Sequence, residues 1–446
     1  MQVVAIAPFR AVRFDPKRVR LATATSPPHD CITPAQRDAL LASDPHSIVQ
    51  VVLGPERPED AEGANRYTRA RDALRGWLAD GTMRRDAHPA FYRYTIAHGP
   101  PGDRKVMSGF LARLRIDPAY GEVRPHEKTL KRKKRDRLQL REETGFDCEP
   151  IWMLYRDRRG WVEELLSSNA FEELARFTDE EGHEHRLWRI DRPEAVGEIV
   201  AQFDDRQVVI ADGHHRYQTA LEHHAATGRD EDGSILVCLV RDNDPGTRIE
   251  ATHRLLHTLP FPPAEALRRA ERHWEVAPVG WDGSDLHPLL AALPPGGRDV
   301  MAVHREGETL RAHRLTLRPG SELREGRGRL DDLAVTRLHE RLLRDAWGLD
   351  PEHPEDRLHF TRDAAAAVGS VRSGASDLAL LLPPESAESV LEVASQGHVM
   401  PQKATYFTPK LRSGLVLSPL DEPRPRTWAE TAGGPGKPEF RMPPLG

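Results

Sequence analysis

Apolar positions along the chain fall into two kinds of stretch. Short runs with a two-residue period alternate with segments whose apolar residues recur every three to four positions. This alternation predicts strands interleaved with amphipathic helices, hence a mixed α/β (α+β) fold. SIVQVVL (47–53), FYRYTIAH (91–98), KVMSGFLARLRI (105–116) and IWMLYRD (151–157) read as strands, the second and third paired around the turn HGPPGD. Residues 65–81 put Tyr67, Ala70, Leu74, Trp77 and Leu78 on one face and end in glycine, which predicts a helix. A helix is also expected over 127–144, and FTDEEGHEHRLWRID (177–191) reads as a hairpin turning at Glu-Gly. A helix over 193–203 then leads into an apolar strand, with SILVCLVRD (234–242) and RIEATHRLLHTL (248–259) as further strands.

PFPP (260–263) predicts a boundary. Beyond it the pattern predicts a helix at 264–273, strands near 299–317, a helix over 333–347, a strand at 378–384 and a helix over 385–397. MPQKATYFTPKLRSGLVLSPL (400–420) closes the fold as two short strands. The expected organisation is therefore a main region at 1–259 and a C-terminal α/β region at 260–420 that contributes the MPQKATYFTPK strand. A Pro/Gly-rich tail at 421–446 is expected to be disordered.

Composition narrows the class of protein. The chain is 38% hydrophobic and 30% charged, as soluble enzymes are, and its formal net charge of −5 gives no global field for nucleic acid or anionic membrane. Nucleic acid is accordingly not an expected partner. Three cysteines without CxxC spacing argue for a reducing compartment and a cytoplasmic location. The opening MQVVAIAPFRAVRFDP lacks a basic stretch before its apolar run and reads as a first strand, not a signal peptide. No apolar stretch approaches the length of a membrane span.

The candidate chemistry concentrates in QVVIADGHHRYQTALEHH (207–224). An apolar strand ends in Asp212-Gly213, and a helical pattern begins at once with His214, His215 and Arg216. The N–H groups of a helix's first turn and its dipole favour an anion there. Gly213 lets backbone approach a phosphate, and Arg216 offers forked donors matched to its oxygens. Asp212 suits a magnesium ion, the motif's own arginine or a substrate hydroxyl. The alternative is a glycine turn with Asp212 as a plain helix cap and two surface histidines.

The stretch DGHHR is similar to the phosphate-binding motif of the ParB/sulfiredoxin superfamily, which includes nucleotide-dependent free-serine kinases. Sulfiredoxins carry Gly-Cys-His-Arg; His214 stands at their cysteine's position, so sulfinic acid reduction is not implied. A longer resemblance is to domain-of-unknown-function family 1015, a bacterial and archaeal family. Its landmarks occur in order as IAPFRAVRFDP, SPPHDCIT, NRYTRA, RPHEKTL, HRLWRI, ADGHHRYQTA, ATHRLL and MPQKATYFTPKLRSGLV, up to about residue 416. The family's usual Pro-Pro-Tyr-Asp is Pro27-Pro28-His29-Asp30 here. Together the resemblances imply a ParB/sulfiredoxin-like core that binds ATP or ADP and a small-molecule substrate. The implied activity is a magnesium-dependent kinase acting on free serine or a similar hydroxylated metabolite.

Other constellations supply its remaining parts. RPHEKTL (124–130) offers Glu127 as a general base and His126 or Lys128 as a phosphate ligand, or else a polar loop before the next helix; Leu130 rules out a HExxH zinc site. Lysine is scarce in this arginine-rich chain, yet Lys403 and Lys410 fall within eight residues after a long gap. Either suits stabilisation of a transferring phosphoryl group, His214 is a second possible base, and strand-edge protection is the plain alternative. Arg10, Asp30, His253 and Thr405 belong to the landmarks and are candidates for the same pocket. KRKKRDR (131–137) reads as a solvated helix face, a nucleic-acid contact in a ParB-like switch, or a basic rim. The His/Asp/Glu residues of 177–186 read as an exposed acidic turn or, on a metal-dependent phosphatase reading, a metal site.

Overall fold

The computed structural model describes residues 4–127, 134–203, 206–323, 326–351 and 357–422 of the 446-residue chain. Lys128, Lys131–Lys133 of the basic run and residues 423–446 of the expected tail lie outside them. The fold is mixed α/β, in two compact units. The first comprises residues 1–125, 129–247 and 409–446, and the second comprises 126–128 and 248–408. PFPP thus falls inside the second unit.

The first unit is built on a nine-stranded mixed sheet. Its order runs Val123–Pro125, Val208–Asp212, Ile151–Tyr155, Ser234–Arg241, Lys105–Arg115, Phe91–His98, Glu184–Ile190 and Glu172–Thr178, with Ile6–Ala7 also paired to Lys105–Arg115. Ser234–Arg241 is buried at all but its last residue, as a central strand covered on both faces must be. One core packs against it, including Phe91, Phe110, Met153, Tyr155, Phe203 and Tyr217. Val208–Asp212 runs antiparallel to Ile151–Tyr155, with Asp212 opposite Trp152, so the residues before Ile151 lie at the edge where Val208–Asp212 ends. The Phe91–His98 and Lys105–Arg115 hairpin forms as its turn chemistry predicts.

The second unit holds a six-stranded sheet in the order Trp274–Val279, Thr309–Leu317, Val300–Glu306, Leu378–Leu381, His253–Leu256, Leu358–Thr361. Its core includes Met301, Val303, Leu381 and the helix Ala364–Ser373. Arg248–Glu250 pairs separately with Tyr406–Thr408.

Several expected elements form otherwise. SIVQVVL is not a strand: Val49–Val52 is one helical turn. Ile48, Val49, Val51 and Val52 are all buried, so no alternation separates an inner from an outer face, and the run packs on the helix Arg66–Ala79. The helix expected over 333–347 divides into an α-helical turn, Ala334–Arg337, and a wider π-helical segment, Leu338–Ala346. Lys134–Thr144 is the described part of the helix expected over 127–144. Among the described residues no helix is long and apolar enough to cross a membrane.

Candidate functional site

The motif at 207–224 folds as strand, turn and helix: Val208–Asp212, Gly213, then His214–Thr227. Gly213 is the N-cap, at φ +97°, and no side chain caps the helix. The plain reading of Asp212 as the cap therefore fails. Glycine is favoured at 213 on two counts. Its left-handed backbone disfavours any Cβ, and a Cβ there would lie 3.0 Å from Arg216 Nη2 and 3.1 Å from its Cζ. The Arg216 guanidinium thus lies against the backbone of the turn.

Charge at this edge of the sheet is arranged in two linked groups. In the first, Lys410 Nζ donates to Asp212 Oδ2 at 2.9 Å, with 15% of the lysine side chain and 24% of the aspartate exposed. Burial works against the Asp212 charge, but Lys410, Arg216 and His214 hold its carboxyl down at about 2. In the second, Arg216 Nη1 donates to the Pro150 carbonyl at 2.7 Å. Burial disfavours the Arg216 cation, yet Glu149, Asp212 and Asp30 outweigh it and raise its pKa.

Glu149 joins these segments. It accepts from the His29 backbone N–H at 2.9 Å and the Ser413 hydroxyl at 2.7 Å, and His29 Nδ1 lies 2.7 Å from its other oxygen. Arg137 Nη1 is 3.7 Å away. Sequence reasoning missed Glu149, Ser413 and Arg137 as parts of this site. Arg137 belongs to the basic run, but it is buried and faces a carboxylate, so the run is not wholly a solvated face.

Asp212, Gly213, His214, His215, Arg216, Asp30 and Lys410 belong to the first unit, with Asp30 exposed. Arg10 is also in this unit, but its Nε donates to Glu422 at 2.9 Å, an acid shared with Arg85. His126, Glu127, His253, Lys403 and Thr405 belong to the second unit. There His126 is fully buried with Nε2 2.7 Å from Thr405 Oγ1, and Glu127 Oε1 accepts the Lys403 backbone N–H at 3.1 Å. Lys403 has φ +52° and its Nζ lies 5.7 Å from the centre of the Phe360 ring. His253 is buried, with Nδ1 accepting from the Leu382 N–H at 3.2 Å, as a satisfied strand histidine does.

The acidic hairpin is built around a buried ring. His185 Nε2 is 2.9 Å from Asp179 Oδ2 and its Nδ1 is 2.8 Å from the Tyr94 hydroxyl, and the imidazole stacks on Phe177. Glu180 pairs with the buried Arg412, two residues from Lys410. Among the described residues no group of three or more His, Cys, Asp or Glu could hold a metal ion. Asp212 also fits a resident magnesium poorly: one oxygen takes the Lys410 ammonium, and the Arg216 guanidinium adds further positive charge to its surroundings.

The first unit thus ends a sheet strand in a glycine turn that leads into a helix with no side-chain cap, with Arg216 and Lys410 beside the turn. The chain belongs to the family described as "Protein of unknown function (DUF1015)", whose profile matches residues 6–333. No protein with a curated description matches the chain. Among solved structures, a free serine kinase variant in complex with AMP is similar at 12% identity and a TM-score of 0.36, covering 69% of this chain and 91% of that one. C-terminally truncated SbnI from Staphylococcus aureus is similar at 13% identity and a TM-score of 0.36, covering 70% and 87%. A conserved hypothetical protein from Pyrococcus furiosus is similar at 11% identity and a TM-score of 0.33, covering 66% and 92%.

Proposed function

We propose that the protein is a nucleotide-dependent small-molecule kinase that binds the phosphates of ATP or ADP at the start of the helix His214–Thr227. The observation that carries this reading is the convergence, in one unit, of an uncapped helix start at Gly213, the guanidinium of Arg216 laid on that turn, and the ammonium of Lys410. Each is a recognised device for a phosphate, and together they supply backbone donors, a forked cation and a point charge. Asp212 and Glu149 keep these cations in place before a ligand arrives, which lowers the ordering cost of binding.

The nucleotide is suggested by the likeness of DGHHR to the superfamily's phosphate-binding motif, and so is free serine or a similar hydroxylated acceptor. Magnesium, on this reading, enters as part of the nucleotide complex, since the carboxylate beside the turn is already paired with Lys410. Arg216 and Lys410 then stabilise charge on the transferring group. A ParB-like nucleotide switch loses support because Arg137 of the basic run faces Glu149.

The reading is tested by incubating the full chain with ATP or ADP, magnesium and serine, and following release of the shortened nucleotide. Release that needs both serine and magnesium, and falls at least about 100-fold in Arg216→Ala, is expected for loss of a transition-state cation. Unchanged turnover in that variant removes the assignment. Phosphate release from phosphoserine without nucleotide would point to a phosphatase instead.

A further inference from the structure

The turn His29–Cys31 holds a histidine whose proton is assigned by its neighbours. His29 is bound twice by one carboxylate: its backbone N–H donates to Glu149 Oε1, and its Nδ1 lies 2.7 Å from Oε2. Glu149 is 7% exposed and also accepts from Ser413. Burial disfavours its charge, but His29, Arg216 and Arg137 hold the carboxyl well below its ordinary range. An ionised carboxylate can only accept hydrogen bonds, so Nδ1 must donate. In its neutral form the ring then has its lone pair on Nε2. Among the described residues no group hydrogen-bonds that nitrogen, and 18% of the side chain is exposed. An imidazole oriented by a buried carboxylate through one nitrogen, and open at the other, is built to accept a proton.

Its place in the unit is equally specific. Glu149 precedes Pro150, whose carbonyl takes Arg216 Nη1, and the charges of Asp30 and Glu149 both act on Arg216. The turn carrying His29 is therefore joined, through Glu149 and Pro150, to the guanidinium assigned to phosphate.

We propose that His29, oriented by Glu149, is the catalytic base of this chain and acts on a neutral hydroxyl acceptor; the proposal rests on the kinase reading above. The acceptor O–H gives its proton to His29 Nε2 as its oxygen bonds to the terminal phosphorus. The bond from that phosphorus to the bridging oxygen breaks, and the electron pair leaves with the shortened nucleotide. The imidazolium returns its proton to solvent. Glu149 is a positioning residue in this scheme, since it acts through the ring.

Two readouts test it. In the full chain labelled with ¹⁵N-histidine, the His29 signals, identified by their absence in His29→Gln, should report the Nδ1–H tautomer and should move toward Nε2–H in Glu149→Gln. An Nε2–H tautomer in the wild type overturns the proposal. In turnover of ATP with serine and magnesium, His29→Gln should lower kcat by about 100-fold or more, the contribution of a general base. Its calorimetric affinity for ADP should stay within about twofold, because the phosphate contacts of the proposed site are untouched. Equal kcat in wild type and variant removes the base alone. Wild type that binds no ADP removes the kinase reading and the base with it.

Discussion

Replacing Lys410 by methionine keeps most of the side chain's stem and deletes its charge, so it isolates what the ammonium does for Asp212. The carboxyl is held at about 2 against an ordinary 3.8, which amounts to roughly 2 kcal/mol. That sum is shared with Arg216 and His214, and water reaches the quarter of Asp212 that is exposed. The Lys410 share comes to about 1 kcal/mol after this screening. The assay is a double-mutant cycle of Lys410→Met and Asp212→Asn, read by urea unfolding at pH 7. A depressed carboxyl contributes stability above its unfolded pKa and loses it as pH falls through the folded one. The coupling should therefore be full above about pH 4 and disappear toward pH 2. A coupling under about 0.3 kcal/mol at pH 7, or one unchanged at pH 2, would refute the reasoning. The same substitution should weaken binding of inorganic pyrophosphate about tenfold, equivalent to about 1.4 kcal/mol.

Gly213→Ala should destabilise the first unit by about 1–3 kcal/mol, through positive φ and contact with the Arg216 guanidinium, and should weaken pyrophosphate binding with it. An alanine variant equal to wild type in both would show that the turn is not held as described. His253 offers a pH test in the second unit. Burial, and then Arg254, push its pKa down to about 4, so the folded state resists protonation that the unfolded chain accepts below about 6.5. Wild type should lose about 3 kcal/mol as pH falls from about 6.5 to about 4, and His253→Asn, which keeps an acceptor for the Leu382 N–H, should lose correspondingly less. Parallel acid limbs in urea titrations of the two proteins would contradict this.

How much was legible in the sequence depended on whether the interaction was local. Asp212-Gly213 followed by a helical pattern is a contact between chain neighbours, and it folds as strand, turn and helix. The hairpins at 91–115 and 172–190 are similarly local, each a pair of strands joined by a turn-rich segment. SIVQVVL misled because its β-branched residues carry no periodicity once every face is buried. Lys410 had a weak signal, the scarcity of lysine, and it pairs with Asp212 across nearly two hundred residues of chain. Lys403 carried the same signal and sits in the other unit, with its N–H on Glu127. Glu149 had none, for it is one acid before a proline in an ordinary loop. Its importance comes from antiparallel pairing of Ile151–Tyr155 with Val208–Asp212, which no local pattern encodes.

The central claim is that phosphates are held at the start of the helix His214–Thr227 by Arg216 and Lys410. Calorimetric titration of ADP with magnesium into wild type and into Arg216→Ala/Lys410→Met tests it most directly. Wild type should bind saturably and one-to-one, and the double variant should lose at least about 100-fold, or about 2.7 kcal/mol. Equal affinity in the two proteins would place the nucleotide elsewhere and contradict the account.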